Sequence, residues 1–263
     1  MEYIATENKI CVKCNYPLMN LFEIMNINSN VVTLRFYINK ITANVANNEQ
    51  DCIIITTINV KDLIYTYNTN DEYYDASFDV SKLIDFVKNA KLLNQLNDSH
   101  SFMMYINNNR IYFDFNDCML SYSELLLDGV QTKKIVLDDM QFSYGICNLQ
   151  LKDLFGFLTL VNKNQSTNYA TFYADPNKFQ ITTSNNNHTI KKTILNTEGQ
   201  MSILATTTQA SVTICDISKM LLFKNLLNFN DCCTILLKDK FPIFLQVNCE
   251  FGKINIGFSH VDT

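Results

Sequence analysis

Apolar and polar positions alternate along this chain in two kinds of period, and the same succession of periods occurs twice. Ile10–Cys14 and Phe142–Cys147 are short alternating runs that read as strands. Each leads into a dense apolar stretch that reads as a helix: Leu21-Phe22-Glu23-Ile24-Met25 in the first half, Leu154-Phe155-Gly156-Phe157-Leu158 in the second. Long strand-rich regions follow, at about 31–68 and 168–195. Next come Asp79-Val80-Ser81-Lys82-Leu83 and Asp216-Ile217-Ser218-Lys219-Met220. In both, an Asp suited to a helix N-cap precedes apolar residues spaced by three and four, which predicts a helix. The first continues through Ile84, Phe86 and Val87, the second through Leu221, Leu222, Phe223, Leu226 and Leu227. Two strand-like runs around a polar turn close each half: Phe102–Ile106 and Ile111–Phe115, then Thr234–Leu237 and Phe241–Val247.

Leu154 follows Leu21 by 133 residues and Asp216 follows Asp79 by 137, a drift that loop insertions produce in a duplicated unit. Each half therefore reads as strand, helix, several strands, helix, two strands. This predicts an N-terminal domain over 1–116, a connecting loop over 117–139 and a C-terminal domain over 140–263. The connecting stretch mixes apolar clusters with charge, as a segment lying over a groove would.

The chain has 263 residues, 47% of them hydrophobic, so a sizeable core is available. Only 18% are charged, which argues against long disordered tails. No run of 18 apolar residues suggests a membrane span. MEYIATENKI lacks the apolar region of a secretory signal. Nine cysteines without regular spacing fit a reducing compartment, nuclear or cytoplasmic, rather than a disulfide framework. Cys11-x-x-Cys14 is the one metal-like pair, but no second ligand pair matches it and the residues between them continue an alternating strand. A net charge of −5 does not exclude nucleic acid, because one basic face is compatible with an acidic exterior. No Walker loop, dinucleotide fingerprint or nucleophile elbow appears, and His100, His188 and His260 accompany no nucleophile motif. No catalytic activity, metal or cofactor is expected.

The order of elements, the helix D-I-S-K-M-L-L-F-K-N-L-L and the ending F-P-I-F-L-Q-V-N-C-E-F-G-K-I-N-I-G-F-S-H resemble the sliding clamps, the family of proliferating cell nuclear antigen and its viral relatives. The Asn-rich composition would suit a clamp of a large DNA virus. The resemblance implies an α+β, duplicated clamp fold with helices on one face and sheets on the other. It implies a homotrimeric ring around double-stranded DNA that tethers DNA polymerase and other clamp-binding proteins, with no membrane. Edge strands near Ile111–Phe115 and Lys178–Lys192 would close the ring.

The resemblance also assigns sites. Lys82, Lys88, Lys91, Lys152, Lys163, Lys219 and Lys224 would face DNA phosphates without reading sequence. The first helix has no Lys or Arg where clamps of this family usually carry them, and Asp85 falls at another expected basic place. A partner-peptide pocket would be walled by Ile53, Ile54, Leu126, Ile135, Phe142, Pro242, Phe258, Ser259 and His260. His260 stands where the family usually has Pro. Two other readings stay open: a clamp-fold protein serving as a checkpoint-clamp subunit or viral late transcription factor, and an enzyme or structural protein with a duplicated fold.

Overall fold

The computed structural model describes residues 9–14, 17–61, 63–96, 101–115, 118–130, 137, 140–164, 168–184, 188–196 and 202–262. The chain divides into two compact units, one of Met1–Val45 with Ile54–Lys134, the other of Ala46–Ile53 with Ile135–Thr263.

In chain order the first unit holds β1 (Ile10–Cys14), α1 (Pro17–Asn28), β2 (Val31–Phe36), β3 (Lys40–Ala46) and β4 (Cys52–Asn59) apart from Ala46, Cys52 and Ile53, then β5 (Tyr65–Tyr67), β6 (Tyr74–Asp79), α2 (Val80–Leu92), β7 (Phe102–Asn107), β8 (Arg110–Phe115) and β9 (Leu120–Leu125). The second holds β10 (Tyr144–Gln150), α3 (Leu151–Asn164), β11 (Tyr169–Asp175), β12 (Lys178–Ser184), β13 (Thr189–Leu195), β14 (Ser202–Ala205) and β15 (Ser211–Asp216). It continues with α4 (Ile217–Leu221), a 3-10 helix at Lys224–Asn228, β16 (Cys232–Leu237), β17 (Ile243–Cys249) and β18 (Gly252–Phe258).

Strand order proves the duplication. In the first unit the orders are β5-β1-β7-β8-β9 and β4-β3-β2-β6. In the second they are β14-β10-β16-β17-β18 and β13-β12-β11-β15, the same arrangement with every strand number raised by nine. Antiparallel pairing lets each sheet bury one face and wet the other, and burial alternates accordingly in β8 and β12.

In the first unit, α1 buries Leu18, Met19, Leu21, Phe22, Ile24 and Met25. Phe22 meets Phe78 of β6 and Phe113 of β8 edge-on, with ring centroids 5.9 Å apart in both cases. Burying one such side chain contributes roughly 1.5–3 kcal/mol, so this ring cluster locks α1 onto both of the unit's sheets.

α2 and α4 begin alike. The carboxylates of Asp79 and Asp216 accept the backbone N–H and the hydroxyl of Ser81 and Ser218, satisfying donors that have no partner inside the helix. They then diverge. α2 buries Val80, Leu83, Ile84, Val87 and Ala90, the stripe of an α-helix. Its counterpart buries Ile217, Met220, Phe223 and Leu226, every third residue. A strict three-residue period keeps to one line only if the backbone tightens to three residues per turn. Hydrogen bonds from Phe223 to Met220, Leu226 to Phe223 and Phe229 to Leu226 record that tightening.

Three expectations differ from this architecture. The second-half helix is a five-residue α-helix followed by a 3-10 helix, for the reason just given. Ile111–Phe115 is not an edge: β8 pairs with β7 on one side and β9 on the other, and β9 takes the edge. The alternation of Leu-Ser-Tyr-Ser-Glu-Leu in β9 is weak because serine and glutamate fill half the run, so its pattern reads as loop within 117–139. Similarly, β12 is flanked by β11 and β13, leaving only the latter part of 178–192, in β13, at an edge.

Candidate functional site

α2 projects Lys82 and Lys88 into solvent, with Lys91 half-exposed. At about 100° per residue, Lys82 lies roughly a third of a turn away from Lys88 around the helix axis. Lys152 and Lys163 on α3 are both exposed, and eleven residues bring the helix back to nearly the same direction, so they share a face. Lys224 is exposed in the 3-10 helix, while Lys219 is half-buried. α1 carries Glu23 as its one charged residue, and it is half-buried.

The lysines differ most in their neighbours. The ammonium of Lys82 lies 3.3 Å from Glu124 Oε1 and 3.4 Å from Asp79 Oδ2. Glu124 also accepts the Tyr122 hydroxyl at 2.9 Å. The bond to Glu124 and the two negative charges push the Lys82 ammonium up from its ordinary value. Burial acts to raise the Asp79 carboxyl, but Ser81's hydrogen bonds and the Lys82 charge outweigh it and leave the group below the usual carboxylate range. Lys219 bonds Glu49 Oε2 at 3.0 Å and also pairs with Asp51. Asp51 sits in a turn fastened by Asn47, whose side chain accepts the N–H groups of Asp51 and Cys52. Among the described residues, Lys88, Lys152, Lys163 and Lys224 make no ion pair.

Of the residues assigned to a partner pocket, Ile54, Leu126 and Phe258 are buried, at 0%, 8% and 2% exposure, and so present no open wall. Ile135 lies outside the described residues. Ile53, Phe142, Pro242, Ser259 and His260 are all half-buried. Several of these meet at the end of β18. Ser259 donates its N–H to the Asp51 carbonyl at 2.8 Å. A Cβ on Gly257 would fall 2.6 Å from the Phe244 ring and 2.9 Å from Ile53, so that glycine is what admits the ring. Phe142 packs edge-on against Phe244 at 5.6 Å and Phe241 at 6.3 Å. The sequence pattern alone does not single out Phe241, Phe244 or Gly257; a glycine inside an alternating strand is the signal it offers.

His260 is folded back on its own unit. Its Nδ1 accepts the Ile214 N–H at 3.2 Å, and Val261 donates to the Ile214 carbonyl. Its Nε2 lies 3.4 Å from Asp262. His100 lies outside the described residues. Cys11 and Cys14 are both buried in β1, and burial pushes both thiols up, with Asp114 adding to the effect at Cys11. A thiol held protonated is a poor nucleophile and a poor metal ligand. Among the described residues no three His, Cys, Asp or Glu side chains cluster closely enough to hold a metal ion. No described helix is long and apolar enough to cross a membrane.

No protein-family model and no curated protein sequence matches the chain. Solved structures do. One is A. fulgidus PCNA carrying the C-terminal region of FEN-1, at TM-score 0.80 and 12% identity, covering 97% of this chain and 99% of that one. PCNA from Thermococcus kodakaraensis superposes at 0.79 with 10% identity, over 96% of this chain and all of the other, 100%. PCNA from Entamoeba histolytica gives 0.78 and 10%, over 97% and 100%. At such identity a likeness speaks for architecture, and with the twice-repeated strand order it establishes that this chain has the fold of the PCNA sliding clamps.

Proposed function

We propose that this protein is a DNA sliding clamp: copies of the chain close a ring around duplex DNA and tether a polymerase and other replication proteins to it. The observation that carries this reading is the duplicated nine-strand, two-helix unit, matched over nearly the whole chain by PCNA structures. Diffuse, sequence-blind attraction to phosphates would come from Lys88, Lys91, Lys152, Lys163 and Lys224. Copies would join through the edge strands β9 and β13, whose unpaired backbone groups suit a homotrimer. Partners would dock a peptide beside Ile53, Phe142, Pro242, Ser259 and His260, as a region of FEN-1 binds A. fulgidus PCNA. The role is that of a scaffold, not an enzyme.

The test is processive synthesis by the cognate polymerase on a primed circular template, with native mass measured alongside. Longer products on the circle and a mass of three chains are expected. A protein that stays a single chain at micromolar concentration, with and without DNA, and leaves product length unchanged would overturn the reading. A second role, as a checkpoint-clamp subunit or viral late transcription factor, is favoured by one observation: α1 offers DNA no cation at all. In that case the ring forms only with other subunits.

A further inference from the structure

We propose that Lys82 and Lys219, the two lysines at equivalent places in the repeat, are not DNA contacts but positioning residues that fasten neighbouring acidic segments to their helices. The inference rests on the clamp reading and sharpens which charges serve it.

Each ammonium faces two carboxylates: Asp79 and Glu124 around Lys82, Glu49 and Asp51 around Lys219. One positive and two negative charges leave each group one unit negative. The three charges lie within a few ångströms of one another, well inside a Debye length of about 8 Å, so a phosphate senses them as one composite. That composite repels phosphate. It also leaves the ammonium with little to gain by turning outward, since doing so would give up its ion pairs with two carboxylates.

What the lysines hold is specific. Glu124 belongs to β9, the edge strand, and its side chain is only 11% exposed. Lys82 thus ties that edge to the first turn of α2, beside the Asp79 cap. Glu49 and Asp51 belong to the turn between β3 and β4, whose Asp51 carbonyl takes the Ser259 N–H. Lys219 thus ties that turn to α4. The lysines recur because the Asp-x-Ser-Lys start recurs, while the carboxylates that differ come from unlike places, β9 for Glu124 and the turn between β3 and β4 for Glu49 and Asp51.

The test compares salt dependence of duplex binding in the full chain. K82A and K219A should leave the slope of log affinity against log salt unchanged. The quadruple K88A/K152A/K163A/K224A should flatten it by as much as about 0.9 for each phosphate that a lysine no longer neutralises. E49Q/D51N should steepen it, because Lys219 becomes free to meet phosphate. As a readout of fastening, K82A and E124Q should each speed amide exchange in β9, the double variant should do no more than either single one, and K82R should restore protection. A slope that falls for K82A or K219A as it does for K88A overturns this proposal and leaves the clamp reading standing. A quadruple variant with wild-type slope and processivity overturns the clamp reading's DNA face instead.

Discussion

α2 and the stretch Ile217–Asn228 start from one recipe and end in different backbones. Both open with Asp-x-Ser-Lys, both cap through the same carboxylate-to-serine bonds, and both bury the first and fourth helical residues, Val80 with Leu83 and Ile217 with Met220. After that the apolar period decides. In α2 it moves on to Ile84, Val87 and Ala90 and the helix runs 13 residues. In the second unit it steps by three to Phe223 and Leu226, and the α-helix stops after five residues. A cap therefore fixes where a helix begins, while the period of the residues it buries goes with the kind of helix that follows.

The contrast is most vulnerable at its point of divergence. Phe223 is 1% exposed and packs edge-on against Phe258 at 5.7 Å, whereas Phe86, 137 residues earlier at the equivalent place, is half-buried. Phe223→Ala should cost about 3–5 kcal/mol in urea unfolding, and Phe86→Ala clearly less. Equal losses would mean the three-residue period is incidental. Gly257→Ala comes next. The added methyl meets the Phe244 ring and Ile53, and overpacking of this kind costs about 1–3 kcal/mol. A melting temperature unchanged from wild type would show that the ring moves aside freely.

Removing either cap tests the shared start. Asp79→Ala and Asp216→Ala should each lose about 1 kcal/mol at neutral pH. For Asp79 the loss has a pH signature. Its folded-state carboxyl is held below the unfolded value of about 3.9. Its contribution is therefore fully present above that value and disappears as pH falls through the lower, folded one. The deficit of Asp79→Ala should be constant from pH 7 down to about 5 and shrink below about 4. A deficit that persists undiminished at pH 2 would assign the effect to something other than the ionised cap. The smallest expected change is a gain. Gly156 lies mid-helix in α3 with nothing within 4 Å of where a Cβ would stand, so Gly156→Ala should stabilise by about 0.5–1 kcal/mol. Thermal unfolding that is unchanged or earlier would show that α3 needs the glycine for a reason other than space.

What is legible in the sequence is local. Asp79-x-Ser81 and Asp216-x-Ser218 announce their helices because a cap is satisfied two residues away. Alternating apolar runs such as β7 and β8 announce strands because burial follows a two-residue period. The repeat emerges from these signals together. Illegible parts depend on distance or on weak patterns. β5 has only three residues, and β9 carries Glu124 on the face that Tyr122 turns inward while its Leu125 is exposed, so its apolar residues do not mark one buried face. Glu124 and Asp51, the partners of Lys82 and Lys219, lie 42 and 168 residues away, so both lysines look free from the sequence. His260 bonds to Ile214, 46 residues back, which no spacing rule anticipates.

The assignment of Ala46–Ile53 to the second unit bears on how the protein is made. A ribosome releases that short segment early, and the groups it binds, Lys219 and Ser259, much later. The second unit is thus a discontinuous fold, finished only when an early piece of chain meets the last strands, and such distant closures are slow. A gene cut after residue 134 would encode a carboxy-terminal fragment in which Lys219 has neither carboxylate and Gly257 has no Ile53 above it. Two-piece complementation should therefore succeed only when the amino-terminal piece, carrying 46–53, is supplied with the carboxy-terminal one.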